Sequence, residues 1–178
     1  MLKKIFLWKG KPFKNLVYGI SKKGGRNSLG RICAFKKGGG FKNKYRIIDY
    51  NRNLFNIPAL ILRIEYDPLR NCRIALICYK NGFLSYIIIT EGLNIGDQLI
   101  NFDFLKKVDE SQISVKANKG YSLYLKNIPA GFLVNNIELK PGFGSCFCRS
   151  AGTFAIVLNK YTIYDKKYVL IIFHSAAT

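Results

Sequence analysis

From residue 57 onward, apolar positions come in short runs separated by turn-forming residues, the pattern of a chain built from β-strands. The run 57–66 (IPALILRIEY) ends at Asp67-Pro68, a turn starter, and Asn81-Gly82 separates 72–80 (CRIALICYK) from 83–90 (FLSYIIIT). Two β-branched runs joined by Asn-Gly predict a hairpin with a type I′ turn, because both residues tolerate positive φ. Gly92 and Gly96-Asp97 punctuate a further run at 93–100. Nothing between 57 and 100 has a helical period, so these strands predict a small antiparallel barrel.

A polar stretch at 101–119, read as a connection or a short helical turn, precedes a second β-rich block. There 132–139 (FLVNNIEL) runs into Lys140-Pro141-Gly142, where Pro at i+1 and Gly at i+2 favour a type II turn. Later strands are expected at 154–159 and 168–173. The pattern thus predicts a mainly β chain with two small barrels in series and a boundary near 101–120.

The first 53 residues lack this pattern. They carry fifteen Lys and Arg against one acidic residue, Asp49, and are threaded with glycine. Of the formal net charge of +19, this segment holds +14 and residues 54–178 only +5. Ordering a residue costs about 1–2 kcal/mol of backbone entropy, which the arm's few apolar side chains do not offset. The arm is therefore either disordered or ordered by a polyanion such as RNA or DNA, and its glycines point to the second. Gly24, Gly25, Gly30 and Gly38-Gly39-Gly40 let backbone N–H groups approach phosphate oxygens. Phe35, Phe41, Tyr45 and Tyr50, interleaved with the cations, suit stacking on unpaired bases. The three successive glycines are not a P-loop, since no Lys-Ser/Thr pair follows them.

Other chemistry finds little support. Apolar runs reach only about six residues, far short of the roughly 20 needed to cross a bilayer, so no membrane insertion is expected. The opening MLKKIFLW has too short an apolar core for a secretory signal, and reads either as more of the basic arm or as the start of an organelle transit peptide. Five cysteines include a lone Cys146-Phe147-Cys148, and His174 is the single histidine, so neither a metal site nor a disulfide framework is expected. Glu65 and Asp67, two apart, are read as balancing Arg63 and Arg70 rather than as an acid–base pair. With no nucleophile elbow, HExxH or Rossmann fingerprint, neither catalysis nor a cofactor is expected.

Several stretches, taken together and in order, resemble a known family. They are KGKPFKNL (9–16), GGRNSLGRI (24–32), GGGFKNKYRIIDYNRN (38–53) and IPALILRIEYDPLRNCRIALICYKNG (57–82), followed by EGLNIGDQLI (91–100), KNIPAGFLVNNIELKPGFGS (126–145) and RSAGTFA (149–155). They resemble the universal ribosomal large-subunit protein family called L-two in bacteria, over most of residues 9–155. The resemblance implies an extended basic arm (1–53), an OB-fold-type barrel (54–110) and an SH3-like barrel (120–178), all packed on large-subunit rRNA beside other large-subunit proteins. It implies a structural role in assembling and bracing the peptidyl-transferase region and in contacts with the small subunit. A free-standing RNA-binding chaperone and a basic protein on an anionic membrane surface are the competing classes.

Charge, glycine placement and the resemblance together give the expected rRNA-binding residues. From the arm these are Arg26, Asn27, Arg31, Lys36, Lys37, Gly38, Gly39, Gly40, Lys42, Lys44, Tyr45, Arg46 and Arg52. From the barrels they are Arg70, Arg73, Lys140, Arg149 and Ser150. Two departures stand out: Phe41 where the family usually has His, and 143–148 (FGSCFC) where it is usually more polar. The family also continues into a Gly- and Arg-rich extension with a His-Pro-His-Gly-Gly-Gly motif, which this sequence lacks. The expectation is a separate polypeptide carrying that C-terminal half, from a split gene. Ile, Lys, Asn, Phe and Tyr make up 82 of 178 residues, all with AT-rich codons, so a mitochondrial ribosome is the expected location. A plastid or bacterial ribosome is the alternative.

Overall fold

In the computed structural model, which describes residues 7–38, 40–102, 118–163 and 166–175, the chain is mainly β and no α-helix occurs among the described residues. The first unit is a sheet of β3 (Ala59–Glu65), β4 (Ile74–Tyr79), β5 (Leu84–Ile88) and β6 (Gln98–Leu99), ordered β5-β4-β3-β6 with antiparallel neighbours. A bulge between Ile61 and Arg63 shifts the β3–β4 register. The extra residue bends β3 and tightens its twist, which curls the sheet in the manner of a barrel.

β4 is apolar along its whole length because both of its faces are covered. Ala75, Ile77 and Tyr79 point into an inner core with Ala59, Ile61, Ile64, Ile87, Leu93 and Leu99. The alternate residues Ile74 and Leu76 join Ile48, Tyr86 and Ile88 in an outer core, on which Phe13, Leu16, Val17 and Tyr50 pack. A strand buried on one face alternates apolar with polar, whereas one buried on both reads as a continuous apolar run. The cover on the outer face comes from both ends of the basic segment.

Those ends are also hydrogen-bonded to the sheet. Leu7 bridges to Ile64 in parallel, with Trp8 N–H donating to the Ile64 carbonyl at 2.8 Å. Ile48 bridges to Tyr86 in parallel, with Asp49 N–H donating to the Tyr86 carbonyl at 2.8 Å. The segment therefore leaves the barrel and returns to it. Its outgoing and returning stretches pair as a ribbon of β1 (Val17–Gly19) and β2 (Lys44–Arg46).

The second unit contains β7 (Leu133–Val134), β10 (Phe154–Ile163) and β11 (Lys166–His174), in the order β11-β10-β7, with a separate pair of β8 (Ile137–Glu138) and β9 (Ser145–Phe147). Ala155 and Val157 on β10 are fully buried. Much of the polar connection expected at 101–119 lies outside the described residues, but Asn101 bridges to Ser122 and joins the units.

Three sequence expectations change in detail. The hairpin at Asn81-Gly82 forms, but only Gly82 has positive φ (84°). Its loop is closed by Gly82 N–H to Tyr79 O and by Tyr79 N–H to Phe83 O, while the Asn81 side chain accepts from Phe83 N–H. This is the longer hairpin loop with one left-handed glycine, because Asn81 uses its side chain rather than its backbone to turn the chain. The run 132–139 is split into β7 and β8 at Asn136, whose φ of 51° redirects the second half into another sheet. The strand expected at 154–159 extends to Ile163.

One buried polar relay fastens the outgoing arm. Glu65, 3% exposed, accepts from Arg63 Nε at 2.6 Å and from the Tyr86 hydroxyl at 3.0 Å. The same hydroxyl accepts from Phe13 N–H at 2.9 Å. Burial, reinforced by the neighbouring Glu65 charge, raises the Tyr86 pKa above its ordinary value. Tyr86→Phe is expected to lower stability at neutral pH by about 1–3 kcal/mol, by orphaning a buried donor and acceptor. A raised folded-state pKa means this contribution is complete below the ordinary tyrosine value and is lost as pH rises from there through the higher folded-state value, so the gap between wild type and variant narrows above about pH 10. Urea titrations across pH, read at the midpoint with unchanged slope, check both.

Candidate nucleic-acid interface

The ribbon carries the basic loop away from the barrel. Val17 pairs with Arg46, Tyr18 with Tyr45 and Gly19 with Lys44, and the Tyr18 and Tyr45 rings lie 5.0 Å apart. Ile47 N–H to Leu16 O and Ile20 N–H to Asn43 O extend the pairing at both ends. Beyond it, residues 24–34 fold into a compact turn held by backbone hydrogen bonds and by the Asn27 side chain. Cys33 and Ala34 N–H both donate to Gly25 O, and a Cβ on Gly25 would sit 2.1 Å from Ala34 O. Only glycine fits there. The Asn27 side-chain oxygen accepts from Leu29 N–H and Arg31 N–H, so Asn27 shapes the loop.

This local order needs no apolar core, and the side chains it presents face water. Arg26, Arg31, Lys36, Lys37, Lys42 and Lys44 are exposed, as are Gly38 and Gly40, while Gly39 lies outside the described residues. No acidic residue occurs between Met1 and Ile48 to neutralise them. Leu29, Phe35 and Phe41 are 78%, 81% and 92% exposed among these charges. Cations and bare apolar faces alternate along one projecting loop.

At the ribbon's base the expected residues behave differently. Arg70 is mostly buried: it pairs with Asp67, which is fully buried, and donates to the Tyr45 hydroxyl at 2.9 Å and the Tyr50 hydroxyl at 3.3 Å. Its guanidinium also lies 4.9 Å from the Tyr45 ring centre. Burial opposes its charge, but the bonds to Asp67 and Tyr50 outweigh this and hold its pKa above the ordinary arginine value. Arg46 donates to Lys44 O, and its Nε is enclosed without a partner. These groups hold the ribbon rather than project from it.

A third cluster joins the arm to the second unit at residues 50–52. Ser145 N–H and Oγ both donate to Tyr50 O, and the Arg149 guanidinium lies 5.1 Å from the Tyr50 ring centre. A Cβ on Gly144 would lie 2.3 Å from Asn51 Oδ1, so the chains touch closely here. Arg52 donates to Gly120 O at 2.8 Å, leaving Nε and Nη2 enclosed and unpartnered; burial, partly offset by Tyr79 and Asp49, lowers its pKa. Arg149 and Ser150 themselves remain exposed, as do Lys140 and, ahead of β4, Arg73. The structure thus brings Arg70 together with Tyr45, and Arg149 with Tyr50, while the loop cations stand apart from both pairs.

One prominent residue was not in the expected set. Phe143, 77% exposed, stands at the β8–β9 turn with Lys140 Nζ 6.0 Å from its ring centre. The available signal was a large aromatic at i+3 of a Pro-Gly turn, where polar residues are usual.

Fold and surface define a two-unit β protein that presents free cations on a loop fastened to its first unit. Comparison with known proteins makes this specific. The family profile described as "Ribosomal Proteins L2, RNA binding N-terminal domain" matches residues 13–101, and that described as "Ribosomal Proteins L2, C-terminal domain" matches 118–178. The chain belongs to the L2 family of ribosomal proteins. It is 47% identical over 169 residues to large ribosomal subunit protein uL2 of Orientia tsutsugamushi, covering 95% of this chain and 57% of that one. The same protein of Rickettsia canadensis is 45% identical, covering 90% of this chain and 55% of its own length. That of Cereibacter sphaeroides is 42% identical, covering 84% and 50%. The chain therefore spans about half the length of the curated relatives it matches.

These matches correct one expectation. A C-terminal half supplied by a separate polypeptide is contradicted, because residues 118–178 themselves match the family's C-terminal domain.

Removing Arg70 should leave the Asp67 carboxylate buried and unpaired. Arg70→Ala is expected to lower stability by about 3–5 kcal/mol. Arg31→Ala, at an exposed loop cation, should change it by no more than about 0.5 kcal/mol. Chemical denaturation of the RNA-free protein measures both.

Proposed function

We propose that this chain is a non-catalytic, structural component of a large ribosomal subunit that binds large-subunit rRNA. The observation that carries this reading is the loop of exposed cations and glycines, Arg26 to Lys44, held on a ribbon that Arg70 of the barrel braces through the Tyr45 hydroxyl. Exposed cations with no carboxylate partner remain available to phosphates, and each phosphate met releases counterions. Arg26, Arg31, Lys36, Lys37, Lys42, Lys44, Arg73, Lys140 and Arg149 make these contacts. Asn27 and the glycines set the backbone, Arg70 holds the ribbon through Tyr45, Arg46 lies within the ribbon, and Arg52 ties the returning arm to the second unit. Family membership supports a place among other large-subunit proteins, in a role that assembles and braces the peptidyl-transferase region. The bias toward AT-rich codons supports a mitochondrial ribosome; the relatives named above are bacterial.

If these nine cations each meet a phosphate, the logarithm of the affinity for large-subunit rRNA should fall with log salt with a slope on the order of −6, at about −0.7 per contact. A slope near zero would reject phosphate contacts as the main source of affinity. Sedimentation separates the competing reading. A structural component stays with large subunits through a high-salt wash, whereas a free-standing RNA chaperone is released.

A further inference from the structure

We propose that Phe143, at the tip of the β8–β9 turn, is a stacking residue that takes an unpaired RNA base, with Lys140 beside it meeting the adjoining phosphate. The inference rests on the rRNA-binding reading above and names a contact on the second unit that the charged residues alone do not reveal.

The turn is built rigidly around this side chain. Phe143 N–H donates to Lys140 O at 3.2 Å, and the Glu138 carboxylate accepts from Gly142 N–H at 2.8 Å. Gly142 and Gly144, with φ of 84° and 83°, turn the chain on both sides of the phenylalanine. Gly144 is pressed against Asn51, and Ser145 is tied to Tyr50, so the turn is braced on the returning arm. A ring held this firmly loses little entropy on stacking.

Nothing among the described residues covers the ring. Phe143 is 77% exposed, and its neighbour is the Lys140 ammonium, 6.0 Å from the ring centre. A bare aromatic face beside a cation matches a nucleotide, which offers a π-face and a phosphate a few ångströms apart. An apolar protein partner would use the ring but leave Lys140 stranded. The net charge of +19 opposes a second copy of this chain. Charge complementarity therefore selects RNA, and stacking selects its unpaired regions, since a base inside a duplex has no free face.

The test uses the full chain, large-subunit rRNA transcribed from Cereibacter sphaeroides, and binding measured across a salt series. Phe143→Leu keeps the apolar bulk and removes the ring; Phe143→Trp keeps a larger ring. Loss of one stacked base should weaken Phe143→Leu by roughly 5- to 100-fold. Its salt slope should match the wild type, because no phosphate contact is lost. Phe143→Trp should bind within about threefold of wild type, and its added tryptophan emission, read against Trp8, should be quenched by the RNA. Lys140→Ala should instead reduce the magnitude of the slope by about 0.7. Equal affinity of Phe143→Leu and wild type overturns the proposal, as does unquenched added emission in Phe143→Trp when that variant binds the RNA normally. If wild type shows no salt-dependent binding, the rRNA reading itself falls. Thermal melts of each variant separate loss of fold from loss of stacking, and a Phe143→Leu defect explained wholly by unfolding counts against the proposal.

Discussion

Two carboxylates buried at the end of β3 hold the rest of the molecule in place. Glu65 fastens the outgoing arm through the Tyr86 hydroxyl and Phe13 N–H, and Asp67 fastens the returning arm through Arg70 to Tyr45 and Tyr50. Each charge is costly to bury and is kept by having several donors. The benefit is directional. Apolar packing of Phe13, Leu16 and Val17 on the outer core lets the arm adhere to the sheet, but hydrogen bonds fix its register and the line along which the ribbon leaves.

That constraint divides the cations into two populations. Arg63 and Arg70 are paired with Glu65 and Asp67 inside the fold, and Arg52 is enclosed where the arm meets the second unit. The loop cations have no carboxylate near them in sequence and stand in water. A strongly basic protein is thereby stable enough to present its charge on a defined loop. The second unit takes part through the Tyr50–Asn51 junction, which sets Arg149 and the Lys140–Phe143 turn beside the returning arm.

The β-strands were legible because period and turn residues agree: β4 and β5 lie within the runs read from sequence, and Arg63 and Arg70 pair as their spacing suggested. The glycine and lysine pattern likewise marked the loop. What sequence did not convey depends on tertiary contact. The outer face of β4 requires apolar partners from residues 13–17 and 48–50, which are too scattered in a basic segment to show a period. This is why the first 53 residues read as either disordered or ordered by a polyanion, although both ends of the segment pack on the sheet. Arg70 and Arg31 are the same residue type, and only burial separates a brace from a free cation. Asn136 splits the run 132–139 because its backbone turns left-handed, a choice that Asn tolerates but does not announce.

The barrel, not RNA, orders the base of the arm. Native-state amide hydrogen exchange on the RNA-free protein reads this order residue by residue. Protection is expected at Phe13, Ile47 and Asp49, whose N–H groups donate to Tyr86 Oη, Leu16 O and Tyr86 O, with fast exchange at Lys36 and Lys42 in the exposed loop. Exchange at Phe13, Ile47 and Asp49 as fast as at Lys36 and Lys42 would mean that the barrel does not order the arm.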